Sequence, residues 1–346
     1  MTIEPEAAGG PFAARVGIYT LAVPTPFLVG RINCYLIDDD PLTLVDTGPN
    51  SGKSLDELES SLRDHGRRIE DLELIVITHQ HMDHLGLLEI VARRSGAEVA
   101  ALDLLRPYLA DFRASATADD AFSQAVMRRH GVPPDLATVL GTVGLAFRAF
   151  GSSGSVTRPL RDGDTLQLRD RTLRVLHRPG HSPTDTLFYD ERRGMLLGGD
   201  HLLAHISSNP LISRPLDGSA EGISGDPAAP GTRPRALVEY IASMRRTREL
   251  PATLVLPGHG APILDHVALI GERLRMHDRR AQKILGIVSE GPLSAYEVAV
   301  RMWGNVAVTQ AYLTISEVLG HLDLLIEDGL VTERDDGERS LFEATP

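Results

Sequence analysis

Between His79 and His84 the chain places four side chains able to hold a metal ion. They are His79, His81, Asp83 and His84, in the run Thr78-His79-Gln80-His81-Met82-Asp83-His84. The run follows directly on Leu74–Ile77, an apolar segment that reads as a short buried strand. Leaving that strand two positions apart, the imidazoles of His79 and His81 point the same way. Asp83 and His84 fall at the start of the next helix, within reach of a second ion. The chemistry of such a cluster is that of a cation held by imidazole and carboxylate, which polarises an oxygen and makes water nucleophilic near neutral pH. A solvated surface histidine cluster is the simpler alternative, and so dense a set of ligands directly behind a buried strand argues against it.

Three further candidates share one local pattern, each just past an expected strand and beside small residues. They are His181 in Pro179-Gly180-His181-Ser182, Asp200 in Gly198-Gly199-Asp200, and His259 in Pro257-Gly258-His259-Gly260. Small neighbours let the backbone approach a crowded centre. Strand ends along one edge of a sheet would bring these loops together.

The elements that must position them read as an α/β layered domain from Val16 to about Asp265. Arg31–Asp38 and Leu42–Val45 flank Asp39-Asp40-Pro41 as a hairpin, and Ser54 with Glu57 reads as the cap of a helix carrying Leu55, Leu58 and Leu62. Leu85–Val91 has the pattern of one helix ending near Gly96. Leu166–Leu168 with Leu173–Leu176, Thr186–Tyr189 with Met195–Leu197, and Thr253–Leu256 supply the later strands. The stretch 104–150 has helical spacing and is too long for a connection, so it is expected to be a helical insertion, a lid over the site. Arg214–Arg235, rich in Pro, Gly and Ser, is expected to be a mobile loop. From His266 a charged helix (Ile270–Leu285), a capping box at Ser294 and Glu297, a helix over Thr314–Asp328 and a strand–turn–strand follow, the outline of a winged helix. The expected division is therefore a catalytic domain over 1–265 and a small domain over 266–346.

The ordered set Asp46 (in Leu44-Val45-Asp46-Thr47-Gly48), His79, His81, Asp83, His84, His181, Asp200 and His259 resembles the metallo-β-lactamase superfamily over residues 16–265. The resemblance implies a four-layer αβ/βα sandwich with two metals at one edge, zinc by default and iron or manganese as alternatives. It implies that His79, His81 and His181 hold one metal, that Asp83, His84 and His259 hold the other, and that Asp200 bridges them. Asp46 would orient the ligand loops. Asn33-Cys34-Tyr35 resembles an early strand of the family, which makes Cys34 a small core residue. Two divalent ions, two carboxylates and a bridging hydroxide leave about one net positive charge to stabilise an oxyanion. Asp200 stands where common zinc β-lactamases use cysteine, which turns the reading away from antibiotic hydrolysis. Hydroxyacylglutathione hydrolases share the ligand set but differ around the last histidine, and Thr184 and Asp185 replace a Gly-His pair found in many relatives. The tail resembles the extension of the lactamase-like endoribonucleases.

Charge chooses between substrates. The chain of 346 residues has net charge −12 with 47 acidic against 35 basic side chains, which disfavours polyanions as partners. From His266 onward eight basic residues face thirteen acidic ones, and Glu317, Asp323 and Glu327 are expected along the polar side of the helix that would read nucleic acid. Arg273, Arg275, Arg279 and Arg280 are expected on a solvated face. The single cysteine excludes an internal disulfide and a cysteine-cage metal site. Met1–Pro11 does not read as a signal peptide, and no apolar run spans a bilayer, so a cytoplasmic location is expected. His201, His205, Ser208 and Asn209 read either as ordinary loop structure or as lining of the substrate pocket; His130, His177, His266, His277 and His321 are expected to be surface or packing residues. The expectation is a dinuclear hydrolase that attacks a small thioester, ester or lactone with a metal-bridging hydroxide. The alternatives are a metal-dependent phosphodiesterase or endoribonuclease, a one-iron persulfide oxygenase and a non-catalytic protein. The tail would cover the active-site edge or dimerise.

Overall fold

The computed structural model describes residues 12–216 and 232–346. Met1–Pro11 and most of the Arg214–Arg235 loop thus lie outside the described residues.

Two sheets carry the molecule. In the first, β1 (Ile18–Val23), β2 (Ile32–Ile37), β3 (Thr43–Val45), β4 (Leu74–Val76), β5 (Glu98–Leu102) and β6 (Arg158–Leu160) lie in chain order. β1 to β3 pair antiparallel, and β3 to β6 parallel. In the second, β7 (Thr165–Gln167), β8 (Thr172–His177), β9 (Thr186–Asp190) and β10 (Met195–Gly199) form a meander, and β11 (Leu254–Pro257) adds in parallel to β10. Ile18, Tyr35, Val45 and Val76 of the first sheet share one core with Leu173, Phe188, Leu197 and Leu256 of the second. The outer face of the first sheet is covered by α1 (Gly52–Asp64), α2 (Met82–Leu85) and α3 (Leu88–Ser95). Strands covered on both sides are mostly apolar with any polar group paired, and β2, Ile-Asn-Cys-Tyr-Leu-Ile, is buried along its whole length.

The insertion folds as α4 (Arg106–Ala110), α5 (Phe112–Arg129) and α6 (Pro134–Phe147). α7 (Ala236–Arg248) covers the outer face of the second sheet together with α8 (His266–Val288), completing the αβ/βα layers. The tail continues with α9 (Ala295–Trp303), α10 (Val306–Thr309), α11 (Ala311–Glu327) and the hairpin β12 (Val331–Asp335) and β13 (Ser340–Ala344). Phe122, Val126, Met127 and Ala137 of the insertion share one core with Ile284, Val298, Leu319, Leu322 and Phe342 of the tail. Among the described residues no helix is long and apolar enough to cross a membrane.

Several local expectations need correction. Ser51, and not Ser54, caps α1; Ser54 lies in its first turn and its Oγ donates to the Pro24 carbonyl. The expected single helix is two short ones: Gly86 is still helical, and the break falls at Leu87, whose ψ is 5°. A Cβ at Gly86 would lie 2.1 Å from the Phe150 carbonyl oxygen, so only glycine fits there. Strands β1, β5 and β6 escaped the sequence pattern; β6 is only three residues and includes a proline. α11 has no solvated acidic side at Glu317 and Asp323. Both are buried, paired with Arg280 and Arg233 respectively, while Glu327 pairs with Arg235 at 3.0 Å. Arg273 is not solvated either, as its guanidinium donates to the Ala204 carbonyl at 3.1 Å. The capping box of Ser294 and Glu297 forms as expected, with both reciprocal hydrogen bonds.

A shared core has a measurable consequence. Leu322→Ala, at a fully buried position, should cost about 2–5 kcal/mol. Hydrogen exchange should then show the insertion and the tail losing protection together; loss confined to 266–346 would contradict the common core.

Candidate metal centre

Parallel pairing of β3 with β4 sets the foundation. Asp46 leaves β3 with φ of +58°, and among the described residues no other non-glycine residue has positive φ. That backbone conformation is costly for a side-chain-bearing residue and is held here by a dense network. The Asp46 amide donates to the Val76 carbonyl. Its Oδ1 accepts from the Thr78 amide at 2.9 Å, and Oδ2 accepts from Thr78 Oγ1 and His84 Nδ1, each at 2.8 Å. Asp46 is thus buried beneath the ligand loops, touching the histidine run at two points.

All seven candidate ligands gather at the edge where β4, β8, β10 and β11 end. His79 Nε2 and His181 Nε2 lie 3.0 and 2.9 Å from His81 Nδ1. Asp83 Oδ2 lies 3.2 Å from His259 Nε2, and His84 belongs to the same cluster. Asp200 stands between the two groups, 3.5 Å from His84 Nε2, 3.7 Å from His181 Nε2 and 3.6 Å from His259 Nε2. His79–His81–His181 and Asp83–His84–His259 each bring one ligating atom per residue within 4.8 Å of the others, and His79–His84–Asp200 links them.

The donor set fits two cations. Nitrogens bound at about 2.0–2.1 Å around a tetrahedral ion lie roughly 3.3 Å apart, close to the separations found here. Three of the five outward ring nitrogens are turned by a partner behind them. His79 Nδ1 meets Thr78 Oγ1 at 3.0 Å, His84 Nδ1 donates to Asp46, and His259 Nδ1 donates to the Arg31 carbonyl at 2.8 Å. These bonds leave the other nitrogen's lone pair facing the centre. His84 Nε2, His259 Nε2 and Asp200 Oδ1 are buried with no hydrogen-bond partner, an arrangement that a cation would resolve.

Electrostatics divide the site. Burial, reinforced by neighbouring imidazoles, holds His79 and His81 in the neutral, ligating form, with His81 pushed down to about 3. At His84 burial opposes the charged form, but Asp200 and Asp46 outweigh it and raise its pKa well above the ordinary value. His259 is raised in the same way, Asp200 and Asp83 overcoming burial. In Asp83 and Asp200 the facing histidines overcome burial and hold the carboxylates ionised. Without a cation, protons on His84 and His259 balance these carboxylates.

Close backbone approach is also built in. A Cβ on Gly258 would lie 2.3 Å from Asp200 Oδ1 and 2.8 Å from His84 Cε1, so only glycine fits before His259. Asn33 crosses between sheets, its Nδ2 donating to the Pro257 and Gly260 carbonyls at 3.0 and 2.8 Å, and Tyr35 Oη donates to the Pro257 carbonyl at 2.7 Å. Thr184 hydrogen-bonds Gln80, between the two leading histidines, while Asp185 accepts from Ser182 N and Oγ. Burial raises the Asp185 carboxyl to about 6.

Other expected residues fall elsewhere. His201 does not line an open pocket: it is buried against the Tyr240 ring, and Tyr240 Oη donates to its carbonyl at 2.7 Å. Ser208 Oγ donates to the Asp200 carbonyl, and Asn209 reaches the Leu313 carbonyl. His205 is exposed beside Gly260. His130, His266, His277 and His321 are buried packing residues, and Cys34 is a buried core residue whose thiol is pushed up by burial. Sequence reasoning missed Tyr240 and Ser243. On the same helix, α7, Ser243 Oγ donates to the Pro179 carbonyl at 2.8 Å, so α7 supports the loops of both His181 and Asp200. No motif surrounds either residue.

Two measurements test this architecture. Asp46→Asn keeps the shape but removes the charge behind His84, and should weaken metal affinity about 10–100-fold in a chelator competition. A cation must displace the protons on His84 and His259, whose pKa values are raised, so affinity should fall as pH is lowered and loading should release protons. Affinity independent of pH, followed by calorimetry in two buffers, would contradict the assignment.

The comparisons with known proteins agree with this geometry. The family model described as the metallo-beta-lactamase superfamily matches residues 28–259. The chain is 33% identical over 325 residues to the probable metallo-hydrolase YqjP of Bacillus subtilis, covering 94% of this chain and 97% of the relative. It is 23% identical to the atrochrysone carboxyl ACP thioesterase of Aspergillus fumigatus, covering 77% of this chain and 46% of that protein. Among solved structures, the metallo-beta-lactamase family protein TTHA1429 of Thermus thermophilus superposes with a TM-score of 0.76 at 27% identity, covering 95% of this chain and 99% of that one. With ligand-bearing loops gathered at one edge of two stacked sheets, the chain belongs to the metallo-beta-lactamase superfamily.

Proposed function

We propose that this protein is a dinuclear metal-dependent hydrolase of small carbonyl substrates, with thioesters first among them and esters or lactones next. The observation that carries the reading is the pair of three-ligand clusters joined through Asp200. His79, His81 and His181 would hold one ion, Asp83, His84 and His259 the other, and Asp200 would bridge; zinc suits the donors, with iron or manganese as alternatives. When bound, the ions polarise a carbonyl oxygen and lower the pKa of water to about 7.

The chain's own residues do the rest. Asp46 and the Arg31 carbonyl fix His84 and His259 in the ligating orientation. Asp83, held ionised by His259, is placed to accept a proton and return it to the leaving group. A thiolate leaving group needs little protonation, so the demand on Asp83 as a proton donor is small. The thioesterase name of the Aspergillus relative supports the same substrate class.

The tail reads as a winged-helix-like unit of α9, α11 and the β12–β13 hairpin, used for support and not for gripping nucleic acid. Its second helix is largely buried, and the hairpin arginines Arg334 and Arg339 are paired with Glu343 and Asp336 instead of standing free for phosphates. In this reading the ligand set is of the hydroxyacylglutathione-hydrolase kind, and small-molecule partners in the cytoplasm accord with the net charge of −12.

Metal analysis of the purified chain followed by a panel of thioesters, lactones, a phosphodiester and labelled RNA tests the reading. Expected are two metals per chain and thioester turnover that a chelator abolishes and zinc, iron or manganese restores. His181→Ala should lower kcat by at least about 100-fold, the scale seen when a group stabilising the transition state is lost. RNA cleavage without ester turnover, or one iron with oxygen consumption, would replace it.

A further inference from the structure

On segments bonded to those of His259 and Asp83 lies an apolar patch that the catalytic reading does not use, with Leu28, Val143 and Leu145 exposed and Phe27, Phe147 and Phe150 half-buried. Phe27 and Leu28 occupy the turn between β1 and β2, and Leu28 is 96% exposed, although Thr25 Oγ1 ties the turn by donating to the Gly30 carbonyl at 2.6 Å. Phe27 meets Phe147, at the end of α6, with ring centroids 5.6 Å apart, and Phe150 at 6.1 Å. Val143, one turn earlier on α6, is 49% exposed. From Leu136 to Phe147 there is no charged residue, in a protein of net charge −12. A solvent-facing surface leaves such a cluster uncovered where it has something apolar to bind.

Its two halves are attached to the residues behind one metal cluster. The β1–β2 turn ends at Arg31, whose carbonyl accepts from His259 Nδ1. The segment after α6 lies against the helix bearing Asp83 and His84: the Phe150 carbonyl accepts from the Asn50 amide at 2.8 Å and crowds Gly86, and Ser152 Oγ donates to the Leu85 carbonyl. The two charged side chains carried by segments 24–31 and 143–150 are paired, Arg31 with Glu57 and Arg148 with Asp120. These two segments thus present no unpaired charge to an ionic ligand.

We propose that Phe27, Leu28, Phe147 and Phe150 form a seat for the apolar acyl group of the substrate. Resting on the thioesterase reading above, this names the substrate class as medium-chain or aromatic acyl thioesters, the acyl chain lying across the insertion side while its carbonyl faces the Asp83–His84–His259 cluster. The seat joins the β1–β2 turn to the insertion helix, so the insertion contributes to specificity as well as to folding.

The test uses metal-loaded protein and the acetyl, butyryl, octanoyl and benzoyl thioesters of N-acetylcysteamine. Octanoyl should exceed acetyl in kcat/KM by at least about tenfold, well within what six buried methylenes can supply. Leu28→Ser, at a position too exposed to affect folding, and Phe147→Ala should each cut that ratio about fivefold or more through KM, whereas Val300→Ser on the tail should leave it unchanged. A flat chain-length profile, or a ratio insensitive to both substitutions, overturns the seat, as does light scattering that shows a dimer dissociated by Leu28→Ser with no change in the ratio. Calorimetric binding of the non-hydrolysable octyl thioether separates the two readings. If it binds with the same Leu28 dependence while no thioester is hydrolysed, the seat stands and the hydrolase reading fails; if thioesters turn over with no chain-length dependence, the reverse holds.

Discussion

The Asp46 carboxylate accepts hydrogen bonds from the Thr78 amide, Thr78 Oγ1 and His84 Nδ1, and through them sets the path of the histidine run. Five imidazoles and two carboxylates crowd the edge above it, nearly all of them buried. Burying so many ionisable groups is costly unless each is paired. The arrangement is stable with protons on His84 and His259, or with cations in their place. Backbone strain at Asp46, glycine at 258 and the crossing bonds of Asn33 all serve the same end, which is holding like-charged or lone-pair atoms within a few ångströms.

The tail reaches this edge through α7. Leu237 of α7 lies where a Cβ on Gly320 would come within 2.6 Å, so α11 and α7 are in close backbone contact. Tyr240, on the same helix, contacts the His277 ring of α8 on one side and the His201 ring on the other. From α8, Arg273 holds the carbonyls of the loop that follows Asp200. A module whose outline suggests nucleic-acid binding therefore spends its central helix on packing. Its acidic residues Glu317 and Asp323 neutralise Arg280 and Arg233 instead of facing solvent.

Much of the candidate centre was legible because ligand chemistry is carried by residue type, and loops that must approach a crowded centre repeat small residues. His79 to His84, Pro179 to Ser182, Gly198 to Asp200 and Pro257 to Gly260 each declare themselves within a few positions. The parallel and antiparallel strands with strong apolar runs were legible for the same local reason, as was the Ser294 cap. What escaped was set at long range. Short β6 has too few residues for a periodic pattern, and the need for glycine at 86 is imposed by a carbonyl 64 positions away in the chain.

The sequence by itself therefore determined the chemical inventory: which side chains can hold cations, many of the segments that become strands and helices, and the acidic balance that disfavours polyanions. Only the tertiary structure decided that Asp46 supports His84 from below, that His201 is buried while Leu28 is exposed, and that the insertion and the tail share one core. The physical reason is range. Periodicity and capping act over a few residues, whereas burial and hydrogen-bond partners are settled between segments far apart in the chain, as Asn33 and Pro257 are, and no local pattern encodes which segments will meet.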